Sequence, residues 1–505
     1  MSFKPTIEQQ QAIELSLNPN KESCKISAFA GTGKTSTLKL IADSRNDKGL
    51  YLAFNKAIAT EAQRKFNNFN VVAKTFHSMA FTNSPKWLTQ KLNNDRVFPS
   101  YLVKKYGIDE RGGYIRYNET KENDLKYDGS SIKYTANQLA TGIINTVNLF
   151  CRSNDESIKH KHSYYSLPKE WHPDDRSYLA YIILPMAHKF WDDIINERGK
   201  FKLEHDHYLK YWSLQNPIIN SDYILFDEAQ DADPIMLDIL SKQNSQVIYV
   251  GDRHQQIYGF RGAINAMASL DIPEISLTES FRFGKNIAEQ ANNILLSQLY
   301  EHKKLIGQDS IDSRIKQIEY QEANAFISRT NAKAFETFIQ LLENDKIKCN
   351  PKLEFDTRKL INDITDANLL KNGKYDLLKP TSSFYGFKNW NSVLEYAKEI
   401  HNNDISGITG LVEKYGADQL KDVLEKNTLN AASNSKKYDC TIMTAHKSKG
   451  LEFDNVILND DFFYNIKDGD LSISQDEARL LYVACTRAKL NLDISKLDEL
   501  FDHMK

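Results

Sequence analysis

The stretch Ile26-Ser-Ala-Phe-Ala-Gly-Thr-Gly-Lys-Thr35 sets two glycines, a lysine and a hydroxyl at the spacing of a phosphate-binding turn between a strand and a helix. Backbone N–H groups of Ala30, Gly31, Thr32 and Gly33 can wrap a polyphosphate. The Lys34 ammonium can then reach the terminal phosphates, and the Thr35 hydroxyl can hold Mg²⁺. A helix expected over Thr35–Asp43, with Ser36 in its first turn, points its positive end at the same anion. Ala28 stands where this pattern has its first glycine, and alanine tolerates fewer backbone conformations. Farther along, Tyr223-Ile-Leu-Phe-Asp-Glu ends an apolar run in two carboxylates. Beside a phosphate loop, Asp227 can hold Mg²⁺ and Glu228 can orient and deprotonate an attacking water. Gln255 follows the next apolar run, Gln246–Val250, and could hydrogen-bond a γ-phosphate.

These residues need a sheet to bring them together. Gly49–Phe54 and Val71–Phe76 read as buried strands, ending in Phe54-Asn55-Lys56 and Thr75-Phe76-His77-Ser78. Strands alternating with helices imply a parallel sheet with ligands at the carboxyl ends of its strands. Upstream, Thr6 can cap a helix whose Gln9 could present its amide to an adenine edge. From about 81 to 202 the strand rhythm stops; Thr135–Cys151 and Asp174–Gly199 are helical by apolar spacing, and Asp109–Thr135 reads as a long loop or hairpin. A second strand-bearing unit begins near Leu277 and resumes after a polar, helical stretch from Ala332 to Ala431. It has no phosphate loop, but Arg282 and Arg487 could reach across a cleft into the first unit. Tyr258, Phe260 and Arg261 combine π-faces with a cation, the chemistry of single-strand binding.

Composition limits the partners. A chain of 505 residues exceeds one core. Its net charge of −2 carries no global basic field, so a nucleic-acid site must be a local groove. Five scattered cysteines without a C-x-x-C pair argue against zinc or iron–sulfur sites and fit a reducing, cytoplasmic setting. The polar N-terminus shows no secretory signal, and the apolar run near Tyr178–Ala187 is short and contains Pro185, so no membrane span is expected.

In sequence order, Ala28–Thr35, Phe226–Asp231, Val250–Ala263, Leu277–Gly284, Thr444–Phe453 and Glu477–Lys489 resemble the superfamily 1A DNA helicases of the UvrD, Rep and PcrA type. Glu204-His-Asp-His-Tyr-Leu-Lys-Tyr-Trp, His254-Gln-Gln-Ile-Tyr and Ser280-Phe-Arg-Phe-Gly resemble the motor of F-box DNA helicases. The chain opens at the Gln9 motif, so no F-box and no ubiquitin-ligase partner are expected.

The resemblance implies an α/β protein with two RecA-like parallel-sheet motor domains of the P-loop NTPase class, each with a mostly helical insertion. Their expected bounds are 1–80 with 203–276 for the first motor domain and 81–202 for its insertion. The second would take 277–331 with 432–505, and its insertion 332–431. It implies ATP and Mg²⁺ as cofactors, with Gln9 reading adenine, Phe281 stacking on it where many relatives have Tyr, and Glu452 on the ribose. Ser36 departs from relatives that place Arg beside the lysine–threonine pair as an adenine contact. Arg282 and Arg487 would be arginine fingers, Glu228 the base and Gln255 the γ-phosphate sensor. Phe54, Asn55, Thr75, His77, Tyr258, Phe260, Arg261, Thr444 and His446 align with DNA-contacting positions.

The implied activity is ATP-driven movement on single-stranded DNA and at junctions with duplex, 3′→5′, in repair or recombination. A motor subunit serving a nuclease or recombination protein is the alternative, as is a DNA sensor that hydrolyses ATP without useful unwinding. No Asp/Glu/Lys nuclease signature follows Arg487. After the Thr-Arg-Ala motif, where the UvrD type carries a duplex-splitting hairpin, Leu490–Ile494 reads as one strand and Ser495 as the cap of a helix over Lys496–His503. Unassisted unwinding is therefore expected to be weak beside ATP turnover, unless an insertion such as the Asp109–Thr135 loop supplies the wedge.

Overall fold

A computed structural model describes residues 4–505 apart from 54, 67–69, 93–96, 98, 109–112, 115–132, 135, 170, 260–264, 344–349, 355–356, 380–381, 385–386, 388, 400–403 and 433–437. Six parallel strands form the first sheet, in the order Val71–Thr75, Gly49–Ala53, Tyr223–Phe226, Gln246–Gly251, Cys24–Ala28, Glu274–Leu277. The four central strands are almost wholly buried, because helices cover both faces and every side chain then faces a core. The Val71–Thr75 edge strand alternates instead and leaves Val72 exposed.

The second sheet is also six-stranded and parallel, in the order Pro351–Leu353, Cys440–Thr444, Ala325–Ser328, Phe453–Leu458, Ala488–Asp493, Arg314–Ile315. The fold is thus α/β with two parallel-sheet units. Pro351–Leu353 lies inside the stretch read from sequence as helical; it is three residues long and begins with proline, which confines it to a sheet edge.

Helices Pro99–Tyr106, Ala136–Arg152, His160–Tyr165, Pro173–Ile194 and His205–Ser213 gather beside the first sheet and share one apolar core with one of its faces. Pro173 opens the longest of them at a position where its missing N–H costs nothing. Asn331–Glu343, Thr357–Lys371, Trp390–Glu399, Asp404–Tyr415 and Ala417–Ala432 do the same beside the second sheet. A short antiparallel pairing, Gly113–Tyr114 with Lys133–Tyr134, closes the base of the Asp109–Thr135 stretch, whose remaining residues lie outside the described ones.

The last segment differs in detail from its sequence reading. Ala488–Asp493 is the strand, and Ser495 does not cap the helix; the Asp493 carboxylate accepts from both the Ser495 N–H and its hydroxyl, turning the chain. Leu497, Leu500 and Phe501 then bury themselves on the second unit's core. A hairpin that sequence reasoning passed over, Asn465–Lys467 with Asp470–Ser472, stands between the Phe453–Leu458 strand and the Gln475–Cys485 helix. Its signal was Asp468-Gly469, a two-residue turn in which both residues take positive φ (55° and 87°).

His207 closes the start of the His205–Ser213 helix by accepting the Glu204 N–H on Nδ1 at 3.0 Å, so the ring is neutral there. Burial pushes its pKa down from 6.5 to about 4. Between those values the unfolded chain binds a proton that the folded one does not, so stability falls as pH drops from 6.5 towards 4, by up to roughly 3 kcal/mol. His207→Gln keeps an acceptor for Glu204 and has nothing to titrate. Urea unfolding at pH 7 and pH 5 is expected to show a smaller acid loss in this variant than in the parent; equal losses would mean that His207 does not set the acid limb.

Candidate functional site

Three neighbouring strands end on the same edge of the first sheet: Cys24–Ala28, Gln246–Gly251 and Tyr223–Phe226. One strand separates the phosphate-loop strand from the acid-bearing one, so loop and acids stand about 10 Å apart, two strand spacings. Ala28 is the last residue of its strand, paired with Leu277, so it needs no glycine freedom. Gly31 and Gly33 do need it, with φ of 76° and 79°. A Cβ on Gly31 would also strike the Arg282 side chain at 2.6 Å, because the second unit begins against this loop and Phe281 N–H donates to Gly31 O at 2.8 Å.

The cleft between the units has a volume of about 540 Å³. Gly31–Ser36, Asn55, Asp227, Glu228, Asp231, Gln255 and Tyr258 line it from the first unit; Phe281, Arg282, Lys449, Gly450, Glu452 and Arg487 line it from the second. Gln9 is buried, caps its own helix by accepting the Thr6 N–H at 3.1 Å, and donates to the Thr37 hydroxyl at 3.2 Å. A Cβ on Gly33 would lie 3.4 Å from both the Gln9 amide nitrogen and the Phe281 ring, so these two flank the loop's end together.

Charge governs the centre. Lys34 lies 3.2 Å from Glu228. Burial alone would lower the Lys34 pKa, yet Glu228, Asp252 and Asp227 outweigh it and raise it. Glu228 is held well below the usual carboxylate range, against its own burial, by Lys34 and Lys449. Burial and the adjacent Glu228 push Asp227 upward. Asp227 accepts the Tyr51 hydroxyl at 2.5 Å and the Glu228 N–H at 2.9 Å, which fixes its carboxylate plane. Glu228 itself has a left-handed backbone, φ 54° and ψ 39°, a strain of about 1–3 kcal/mol at a non-glycine residue.

Asp227 and Thr35 are hard oxygen donors suited to Mg²⁺, and among the described residues no group of three or more His, Cys, Asp or Glu could hold a metal alone. That donor set fits an ion held partly by phosphate oxygens and water.

From the second unit, Arg282 donates to Glu452 at 2.9 Å and to Thr486 O at 2.8 Å. Arg487 is 1% exposed, donating to Val483 O at 2.8 Å and Leu451 O at 3.2 Å; burial and the like charge of Arg282 push its pKa down to about 9. Two guanidiniums so close favour an anion between the units.

The aligned nucleic-acid positions separate into groups. Tyr258 and His446 face each other with ring centroids 6.5 Å apart and line a second recess of about 470 Å³ with Gly259, Arg329 and Lys447. His77 lies elsewhere, on the helix after Val71–Thr75; it pairs with Asp206 at 3.1 Å, and Arg152 holds the other oxygen of that carboxylate at 2.9 Å. Asn55 caps the Lys56–Lys65 helix by accepting the Ile58 N–H and lines the cleft between the units. Thr75 is largely buried and its hydroxyl accepts the Ser78 N–H at 3.0 Å; Thr444 is largely buried too, at the end of the Cys440–Thr444 strand. Phe54, Phe260 and Arg261 lie outside the described residues.

Sequence reasoning missed Tyr51, Asp252, Lys449 and Tyr482. Lys449 bridges the units: its ammonium pairs with Asp231, stands 3.8 Å from Glu228 and donates to Gln255 O at 2.8 Å. Burial lifts Asp231 to about 6, against the pull of that ammonium. The signal was a lysine two residues beyond His446-Lys447, next to Gly450 with its turn-forming φ of 84°.

The family described as UvrD-like helicase C-terminal domain matches residues 38–499. The chain is 31% identical over 540 residues to F-box DNA helicase 1 of Gallus gallus, covering 98% of this chain and 49% of that protein. It is 31% identical over 531 residues to F-box DNA helicase protein 1 of Schizosaccharomyces pombe, covering 97% and 58%. A probable DNA helicase II homolog of Mycoplasma genitalium is 23% identical over 619 residues, covering 97% and 84%. The chain therefore spans only about half the length of the two F-box relatives.

Glu228→Gln preserves shape and removes the carboxylate that, among the described residues, pairs with Lys34. Nucleotide is expected to bind this variant while hydrolysis falls at least ~100-fold, the scale of a lost general base. Turnover near that of the parent in a steady-state phosphate-release assay would remove Glu228 from the chemistry. If they act as arginine fingers, Arg487→Ala and Arg282→Ala are expected to lower the maximal rate more than nucleotide affinity, since their charge would meet charge that develops in the transition state. A variant that loses affinity and keeps its rate would be a binding group only.

Proposed function

This chain belongs to the UvrD-like helicase family, and we propose that it hydrolyses ATP to move 3′→5′ along single-stranded DNA and to open junctions or displace bound proteins. The observation that carries the reading is the composite cleft. Lys34, Asp227, Glu228 and Gln255 come from one parallel-sheet unit, and Arg282 and Arg487 from the other, around a single space. Gln9 and Phe281 would hold adenine, and Glu452 the ribose once Arg282 turns from it to phosphate. Thr35 and Asp227 would hold Mg²⁺, which would neutralise phosphate charge. Lys34 would exchange the Glu228 carboxylate for phosphate oxygens, and Glu228, released from one of its two ammonium neighbours, would accept the proton of the attacking water.

Because the arginines complete the site only when the units are closed, hydrolysis and closure are coupled. The nucleic-acid groups lie where such closure would move them. Tyr258 lines both the cleft and the second recess, and Lys449 lies over its ring at 5.4 Å. On the other side, His77 shares a small recess with Glu228 and Asp231. Tyr258 and His446 would take bases on their faces, and Lys447 and Arg329 would meet phosphates. The 3′→5′ direction rests on the family resemblance. Among the described residues no helix is long and apolar enough to cross a membrane.

The deciding experiment measures ATPase, translocation and strand separation on one preparation, with 3′- and 5′-tailed duplexes. Single strands are expected to stimulate hydrolysis, with affinity falling as salt rises because counterions return to the phosphates. Only the 3′-tailed substrate should open. Hydrolysis indifferent to DNA would sink the motor reading, and opening of 5′ tails alone would reverse its direction. Tyr258→Ala is expected to weaken single-strand binding by about 1–3 kcal/mol at constant nucleotide affinity. Unchanged binding would return the ring to a packing role.

A further inference from the structure

We propose that Tyr482 is a positioning residue for the hydrolysis proposed above: its hydroxyl ties the phosphate loop and the Gln255 side chain to the second-unit helix that leads into Arg487. Tyr482 is 0% exposed, in the Gln475–Cys485 helix. Its hydroxyl accepts the Ala30 N–H at 3.0 Å and donates to Asp252 Oδ2 at 3.0 Å. The same Asp252 oxygen accepts the Gln255 side-chain amide at 2.7 Å. The Asp252 N–H donates to Gln230 Oε1 at 3.1 Å, and Gln230 Nε2 donates to Glu228 Oε2 at 2.5 Å. One phenol from the second unit thus closes a chain that runs through the phosphate loop, the residue facing the γ-phosphate position and the base.

Packing alone does not call for this hydroxyl. The ring sits against His254, centroids 6.2 Å apart and nearly perpendicular, in an apolar cluster with Phe29, Ala30 and Phe283. Phenylalanine would fill that space. A fully buried phenol is retained at no penalty only where it finds partners, and here both lie on the other unit. When the second unit moves away, the Ala30 N–H and the Asp252 carboxylate lose that partner together. Asp252 then keeps the His254 N–H on Oδ1 at 3.0 Å, while the Oδ2 that holds Gln255 loses its second donor. Tyr482 and Arg487 are five residues apart on one continuous segment, so the arginine and the orientation of Gln255 arrive and leave as a unit.

This inference rests on the ATPase reading, and Tyr482→Phe tests it. The variant is expected to bind a fluorescent ATP analogue within about 2-fold of the parent, with DNA-stimulated kcat at least ~10-fold lower and KM for ATP within about 2-fold. On a Gln255→Ala background the same change should add less than about 2-fold, because its route is already cut. Asp252→Asn, which leaves Tyr482 in place, should reproduce the loss. Amide hydrogen exchange across residues 28–33 should rise at least ~5-fold in Tyr482→Phe, a readout that needs no hydrolysis. An unchanged kcat, or a full further loss on the Gln255→Ala background, overturns the proposal. A parent protein that hydrolyses no ATP on DNA overturns the functional reading, while exchange at the phosphate loop still decides whether Tyr482 holds it.

Discussion

A half-buried ammonium needs an anion beside it, and the centre of this molecule is arranged around that requirement at Lys34. Its partner is Glu228 at 3.2 Å, with Asp227 and Asp252 adding to the field. The same carboxylate also feels Lys449 from the second unit. Two cations on one carboxylate make it a poor proton acceptor, because both favour its ionised form. A polyphosphate would draw Lys34 away, and separation of the units would remove Lys449. The electrostatics that hold the cleft together are thus the ones that proposed turnover would have to rearrange.

The second unit supplies an excess of positive charge to this cleft. Arg282, Arg487 and Lys449 face it, while its one carboxylate there, Glu452, is taken up by Arg282. Burial first, and then the like charge of Arg282, depress the pKa of Arg487, so holding these cations together costs free energy. A multiply charged anion between the units would offset it. The proposed closure of two units around a nucleotide accords with this charge count, since neither unit alone carries the whole complement.

Strain and rigidity are placed accordingly. Glu228 is held in a left-handed conformation at the end of a wholly buried strand, and Tyr51 and the Glu228 N–H orient Asp227. The helical additions share an apolar core with each sheet. Their contribution near the cleft is indirect, as where Asp206 and Arg152 hold His77.

Much of this was legible in the chain itself. Apolar runs ending in polar residues identified the parallel strands, since strands buried on both faces must be continuously apolar and must change character where they emerge. Glycines with a lysine and threonine at fixed spacing identified the phosphate loop, because only glycine adopts the positive φ found at Gly31 and Gly33 without strain. Local signals failed where a residue's role is set by distant chain. Pro351–Leu353 is too short to announce a strand until the Cys440–Thr444 strand pairs with it. Tyr482, Lys449 and Tyr51 are ordinary letters within their segments, and their partners lie 452, 218 and 176 residues away. Composition and spacing determined which chemistry the chain can hold. Only the tertiary structure decided which groups share it, because a buried charge or hydroxyl is satisfied by whatever the fold brings within hydrogen-bond reach, and sequence distance places no limit on that.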